Sequence, residues 1–280
     1  MAHHNTICVN MYTLLYSGAN YSVGHYAVFA AENADDYGFN FPVPSDFGSL
    51  VSAVLLMIPD TTETIQWDIY TTVAAAGEDF EDDERQSENV QQAVTAEKLT
   101  EIDISGVLTG IAAEDYVGVI FTSNTSVEFV CEFRFTYVTT SETEINTIWV
   151  NGYTQQTGVV TSQVGNWPLN ILSSGDVMRF GFTVPPDFSS LSKAYLVIIP
   201  DANETLPISG YVEVAAPGEA YNNDARGPVT APSVTDKNIT EVDFSGILTG
   251  LATGDYVGVQ IIATSNSLRI MGFKFEYNTV

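Results

Sequence analysis

Carboxylates dominate the groups that could do acid–base chemistry in this chain. It carries 35 Asp and Glu but only three His and two Cys. The histidines, His3, His4 and His25, all lie near the start. A nucleophilic triad needs a base oriented beside Ser or Cys. Only His25 lies away from the chain end, and the repeat position equivalent to it holds Asn166. Triad hydrolysis is therefore not expected. Cys8 and Cys131 show no metal-ligand spacing and cannot form a disulfide framework.

A glycosidase-type site needs two carboxyl groups facing each other, one with a raised pKa. Six acids occur twice, 140 or 141 residues apart: Asp46/Asp187, Asp60/Asp201, Glu78/Glu219, Glu101/Glu241, Asp103/Asp243 and Asp115/Asp255. Each has a local use. Asp60 and Asp201 follow Ile-Pro and suit a turn. Asp115 and Asp255 precede Tyr at a strand entry, where Asp accepts from nearby backbone N–H groups. Asp103 and Asp243 alternate outward on a strand. No catalytic residue and no cofactor is expected.

The stretch EDFEDDERQSE, Glu78–Glu88, is expected to be an acidic surface loop. Glu78, Asp79, Glu81, Asp82 and Asp83 are its weak candidates for calcium, which takes oxygen ligands. The spacing and glycine of an EF-hand loop are missing, and copy two reads EAYNNDAR there. Sugar stacking would fall to aromatic residues. Trp67, Trp149 and Trp167 have no tryptophan at their repeat positions. Tyr12/Tyr153, Tyr116/Tyr256 and Tyr137/Tyr277 do recur, which points to core or sheet surface.

The elements that carry these residues form one unit written twice. Phe41–Asp60 returns as Phe182–Asp201 with 12 of 20 positions identical, at an offset of 141. Leu99–Val119 returns as Ile239–Val259 with 14 of 21 identical, at an offset of 140. A tandem duplication follows, with domains 1–140 and 141–280. The polar stretch TTSETE marks the boundary, and the single lost residue falls in the acidic stretch.

Runs rich in Val, Ile, Thr, Tyr and Phe, bounded by Gly, Pro, Asn and Asp, predict strands near 5–13, 25–31, 36–43, 50–58, 63–73, 100–105, 115–122 and 128–138. In EFRFTYV, Phe133, Phe135 and Tyr137 share one face. SAVLLMIP is apolar on both faces and fits a strand covered on each side. One short helical turn is predicted over Val107–Ala112, and its counterpart over Ile247–Ala252. The fold class is all-β: two tandem antiparallel β-sandwich domains, of jelly-roll rather than immunoglobulin type.

The motifs TEIDISGVLTGIAAEDYVGV…FRFTY and TEVDFSGILTGLATGDYVGV…FKFEY, with V-P-x-D-F…I-P-D, resemble jelly-roll domains in virion proteins of tailed phages. Several carbohydrate-binding modules look similar. The phage resemblance implies a non-enzymatic virion component assembled in the host cytoplasm: a capsid decoration protein, head fibre or tail accessory protein. Its expected partners are capsid or tail proteins and further copies of itself, a trimer being one form. Residues Met1–Thr13 are a candidate arm for a neighbour's sheet. The alternative is a carbohydrate-binding or adhesive module, so glycans are candidate ligands.

Charge and hydropathy narrow the classes. The formal net charge is -26, with only 9 Lys and Arg. Such a chain cannot neutralise phosphates and release counterions, so no nucleic-acid partner is expected. Anionic lipid is disfavoured in the same way. MAHHNTICVN does not read as an ordinary secretory signal. No apolar run is long enough to predict a transmembrane helix.

Overall fold

The computed structural model describes residues 4–9, 12–13, 20–23, 26–31, 36–80, 83–123, 128–139, 145–150, 153–154, 160–164, 167–206, 208–220, 224–264 and 268–279. The chain divides into two compact units. One comprises Met1–Ala74, Glu81–Thr140 and Thr161–Pro168; the other comprises Ala75–Phe80, Ser141–Val160 and Leu169–Val280. Among the described residues no helix is long and apolar enough to cross a membrane.

The first half of the chain forms strands β1 (His4–Val9), β2 (Tyr12–Thr13), β3 (Asn20–Val23), β4 (Tyr26–Ala31), β5 (Asp36–Pro42), β6 (Phe47–Pro59), β7 (Glu63–Ala74), β8 (Asp83–Val94), β9 (Thr100–Asp103), β10 (Tyr116–Ser123) and β11 (Glu128–Thr139). They build two sheets. One has the order β3-β4-β11-β6-β9 with β1 also paired to β11; the other has the order β2-β5-β10-β7-β8. The pairings are antiparallel, as in Val117 opposite both Phe41 and Val73. The sheets pack face to face. Phe39 and Phe41 of β5 meet Phe133 and Phe135 of β11, with ring centroids 4.2 and 5.1 Å apart.

The period-two pattern sets this packing. Phe133, Phe135 and Tyr137 are buried together, as are Val117, Val119 and Phe121. Leu55–Ile58 is buried along its whole length, matching a strand covered on both faces. His4–Val9 pairs with β11 of its own chain, from His4 opposite Val138 to Val9 opposite Phe133.

Two sequence expectations need correction. Residues 83–88, expected in an acidic loop, begin strand β8, which pairs with β7 from Val73–Asp83 to Glu63–Val94. The ladder bonds are made by backbone, and β8 is the last strand of its sheet. Charges suit such an edge because they discourage pairing with a further strand. The helical turn also starts earlier and is tighter than expected. It is a 3-10 turn over Ser105–Leu108, repeated at Ser245–Ile247.

The second half forms β12 (Ile145–Val150), β13 (Tyr153–Thr154), β14 (Val160–Val164), β15 (Trp167–Leu172), β16 (Val177–Thr183), β17 (Phe188–Ile199), β18 (Glu204–Thr205), β19 (Ile208–Ala215), β20 (Asp224–Arg226), β21 (Ser233–Val234), β22 (Thr240–Asp243), β23 (Tyr256–Ala263) and β24 (Leu268–Thr279). One sheet runs β14-β15-β24-β17-β22 with β12 on β24, the second runs β13-β16-β23-β19-β20, and β18 pairs with β21. The core again joins two faces: Phe182 of β16 lies 4.7 Å from Phe275 of β24, centroid to centroid. The duplicated sequence thus builds an antiparallel β-sandwich twice.

Candidate functional site

Five of the six duplicated acid pairs hold the scaffold, through partners at equivalent positions in both copies. The Asp46 carboxylate accepts from the Tyr137 hydroxyl at 3.0 Å, and Asp187 accepts from Tyr277 at 3.2 Å. Glu78 accepts from the Ala75 backbone N–H at 2.8 Å, and Glu219 from Ala216 at 3.1 Å. Asp103 accepts from the Ser105 N–H at 2.9 Å, and Asp243 from Ser245 at 2.7 Å. Asp115 accepts from the Ala112 N–H at 2.7 Å, and Asp255 from Ala252 at 2.8 Å. The last three are short-range turns in which an acidic side chain accepts from a backbone N–H two or three residues away, whereas the aspartate–tyrosine bonds join distant parts of the chain.

The fifth pair is ionic. Arg134 of β11 bonds Glu101 of β9 at 2.6 Å. In copy two, Lys274 lies 3.5 Å from Glu241 and 3.3 Å from Glu276. Lys274 and Glu276 are both fully buried, where an ion is tolerated only beside its counter-charge. Tyr195, beside this cluster, has its hydroxyl pKa raised, first by burial and then by the Glu241 and Asp243 carboxylates. The sixth pair, Asp60 and Asp201, sits in bends that follow β6 and β17.

Three of the five calcium candidates can be placed in the fold. Glu78 bonds its own turn, Asp79 forms an isolated bridge with Asn238 inside the second unit, and Asp83 opens β8. Glu81 and Asp82 lie outside the described residues, as do His3 and His25. Among the described residues no three His, Cys, Asp or Glu side chains cluster as a metal site would require. Trp67 and Trp167 are fully buried. The Tyr12, Tyr153, Cys8 and Cys131 side chains fall outside the described set.

A different constellation appears on the second unit. Four large hydrophobic side chains are exposed among the described residues, and the two aromatic ones, Tyr211 (38%) and Tyr256 (57%), belong to one sheet. Register shows how they share a face. Gly258 of β23 lies between Gly181 of β16 and Glu213 of β19. One row away, Gln260 lies between Arg179 and Tyr211; on the other side, Tyr256 lies between Thr183 and Ala215. Inward residues Val257, Val259 and Ile261 alternate with this set and are buried.

The outward face is a shallow groove. One depression of about 490 Å³ is bounded by Arg179, Tyr211, Glu213 and Gln260. A second of about 390 Å³ is bounded by Gly181, Thr183, Glu213 and Tyr256. Gly258 and Glu213 belong to both. The two glycines form the floor, since neither places a side chain over the backbone. A Cβ built on either would come no nearer than 3.9 Å to a neighbouring atom.

In copy one the matching face is largely covered. The matching rows are Pro42–Tyr116–Ala74, Asn40–Gly118–Thr72 and Gly38–Ile120–Tyr70, and all of these residues are buried except Tyr70, the counterpart of Tyr211, which is half-buried. Arg179 stands at the position of Gly38, Glu213 at that of Thr72 and Gln260 at that of Ile120. The two tyrosines are shared with copy one as Tyr70 and Tyr116, and Tyr256 is already a recurring aromatic candidate in the sequence, but the polar lining is not shared. Its trace lies in what they do not share: polar residues replacing small or apolar ones at alternate strand positions.

No protein-family model and no curated protein matches the sequence. The structure is similar to the N-terminal CBM22-1-CBM22-2 tandem domain of Paenibacillus barcinonensis Xyn10C, at 10% identity and a TM-score of 0.31, covering 100% of this chain and 93% of that one. A fucolectin from striped bass (Morone saxatilis) serum gives 10% identity and a TM-score of 0.25, covering 100% and 96%. The VP2 subviral particle of infectious bursal disease virus gives 11% identity and a TM-score of 0.29, covering 99% and 72%. At these TM-scores the likenesses carry nothing about function.

Proposed function

We propose that this chain is a non-enzymatic structural protein of a virion, of the capsid decoration or accessory type, working through protein–protein contacts and self-association. One observation carries this reading: five of the six acid pairs that duplication has kept are engaged in turns, a tyrosine bond or a strand-to-strand ion pair, at equivalent positions in both copies. What was copied is a scaffold, and scaffolds act through their surfaces. The resemblance of the repeated DYVGV and FRFTY motifs to virion jelly rolls supplies the setting, and the strong negative charge suits an outer shell better than packaged DNA. Sedimentation velocity over a range of concentrations tests the self-association. Growth of a defined oligomer is expected; a monomer at every concentration would contradict it.

Carbohydrate binding is the second reading. It is favoured by the exposed pair Tyr211 and Tyr256 beside polar side chains on one groove.

A further inference from the structure

We infer that the groove on the outer face of β16, β23 and β19 binds a neutral oligosaccharide, and that only the second unit carries this site. This deepens the carbohydrate reading and is independent of virion assembly. The chemistry starts from the tyrosines. A phenol ring pairs an apolar face with a hydrogen-bonding end, which is what a sugar ring presents in return: a C–H face and hydroxyls around its rim. Both tyrosines border the same outward strip of the sheet, one at each end.

Their spacing sets the ligand's size. Tyr256 lies opposite Ala215, and Tyr211 is four residues earlier on that same strand. Four residues of rise and one strand spacing put the two Cα atoms roughly 14 Å apart, a span requiring about three sugar rings rather than one. The floor between them is Gly258 beside Gly181, so a ligand can lie close to the backbone.

Polar groups complete the lining. Arg179 offers donors, Glu213 acceptors and Gln260 both. Among the described residues none of these three makes a side-chain hydrogen bond or ion pair, unlike the duplicated acids. One cation and one anion leave the groove without a dominant sign. The net charge of -26 around it repels polyanionic glycans. A neutral, hydroxyl-rich chain is the ligand class that fits a few placed polar groups between aromatic walls. In copy one the counterpart of Tyr256, Tyr116, is fully buried and that of Tyr211, Tyr70, is half-buried, and the three polar positions hold Gly38, Thr72 and Ile120, so the first unit offers no equivalent.

The test is a titration of the full chain, by calorimetry and NMR, with cello-, xylo-, malto- and manno-oligosaccharides of three to six units and with the corresponding monosaccharides. At least one oligosaccharide series should bind, with the monosaccharides far weaker. Tyr256→Ala and Tyr211→Ala should each weaken binding about tenfold. Gly258→Leu should abolish it by filling the floor; its Cβ would come no nearer than 4.0 Å to a neighbour, and the melting temperature of the variant separates loss of binding from loss of folding. Failure of every series to bind, or binding indifferent to Tyr256→Ala, Tyr211→Ala and Gly258→Leu, would overturn the assignment. So would a Gly258→Leu chain that loses self-association instead of sugar binding, since the face would then belong to a protein partner.

Discussion

Tyr116 and Tyr256 occupy the same position of the repeat, yet Tyr116 is fully buried and Tyr256 is 57% exposed. Both follow an aspartate that accepts a backbone N–H three residues earlier. The turn and the strand entry are therefore preserved while the surroundings of the ring are not. The two copies keep the same frame and differ in how this face is covered.

The tyrosine–aspartate bond should matter more in copy one. Asp46 is buried, whereas Asp187 is only partly so. Hydrogen bonds to a charged acceptor contribute about 1.5–3 kcal/mol. Tyr137→Phe should lower stability by about that amount, and Tyr277→Phe by less. Urea denaturation of the two variants measures the difference; an equal or reversed effect would contradict it.

The serine two residues after Asp103, like its counterpart after Asp243, ties the 3-10 turn to the long strand. Ser105 accepts from the Ala53 N–H at 2.9 Å, and Ser245 from Ala194 at 3.0 Å. Ser105→Ala and Ser245→Ala each leave one part-buried N–H without its partner, at a cost of about 1–3 kcal/mol. Hydrogen exchange should show faster opening at Ala53 or Ala194 in the respective variant.

Trp149 leans on Gly272. A Cβ there would lie 2.4 Å from the indole ring. Gly272→Ala should destabilise the chain by about 1–3 kcal/mol through overpacking. Adding Trp149→Ala should recover part of that loss, a coupling that a double-mutant cycle detects. Additive losses would place the strain elsewhere.

Arg226 clamps the second 3-10 turn, donating to the backbone oxygens of Ile247 and Thr249, and Asp224 holds it in place. The hydrogen bond from Arg226 draws the Asp224 pKa below its ordinary 3.8. A lowered folded-state pKa gives stability that is complete above 3.8 and lost as pH falls through the folded value. The exposed setting keeps the effect small. Asp224→Asn should therefore reduce stability slightly at neutral pH, and the difference from wild type should vanish in strong acid. A gap that widens on acidification would be the wrong sign.

Much of the sandwich is legible from residue alternation. Phe133, Phe135 and Tyr137 announce a core face, and Leu55–Ile58 announces a strand covered on both sides. Strand β8 is hidden because its residues are charged, while its pairing with β7 depends only on backbone. Strand β3, Asn20–Val23, is too short and polar to stand out. The groove is harder still. Arg179, Glu213, Gln260 and the two tyrosines come from three strands, and only the register of β16, β23 and β19 puts them on one face.

The central claim, a structural protein of a virion, is tested most directly by quantitative mass spectrometry of gradient-purified particles. The chain should travel with the particles at a fixed ratio to the major capsid or tail protein through successive gradients and salt washes. Its absence from intact particles, or a ratio that falls toward zero with washing, would contradict the account.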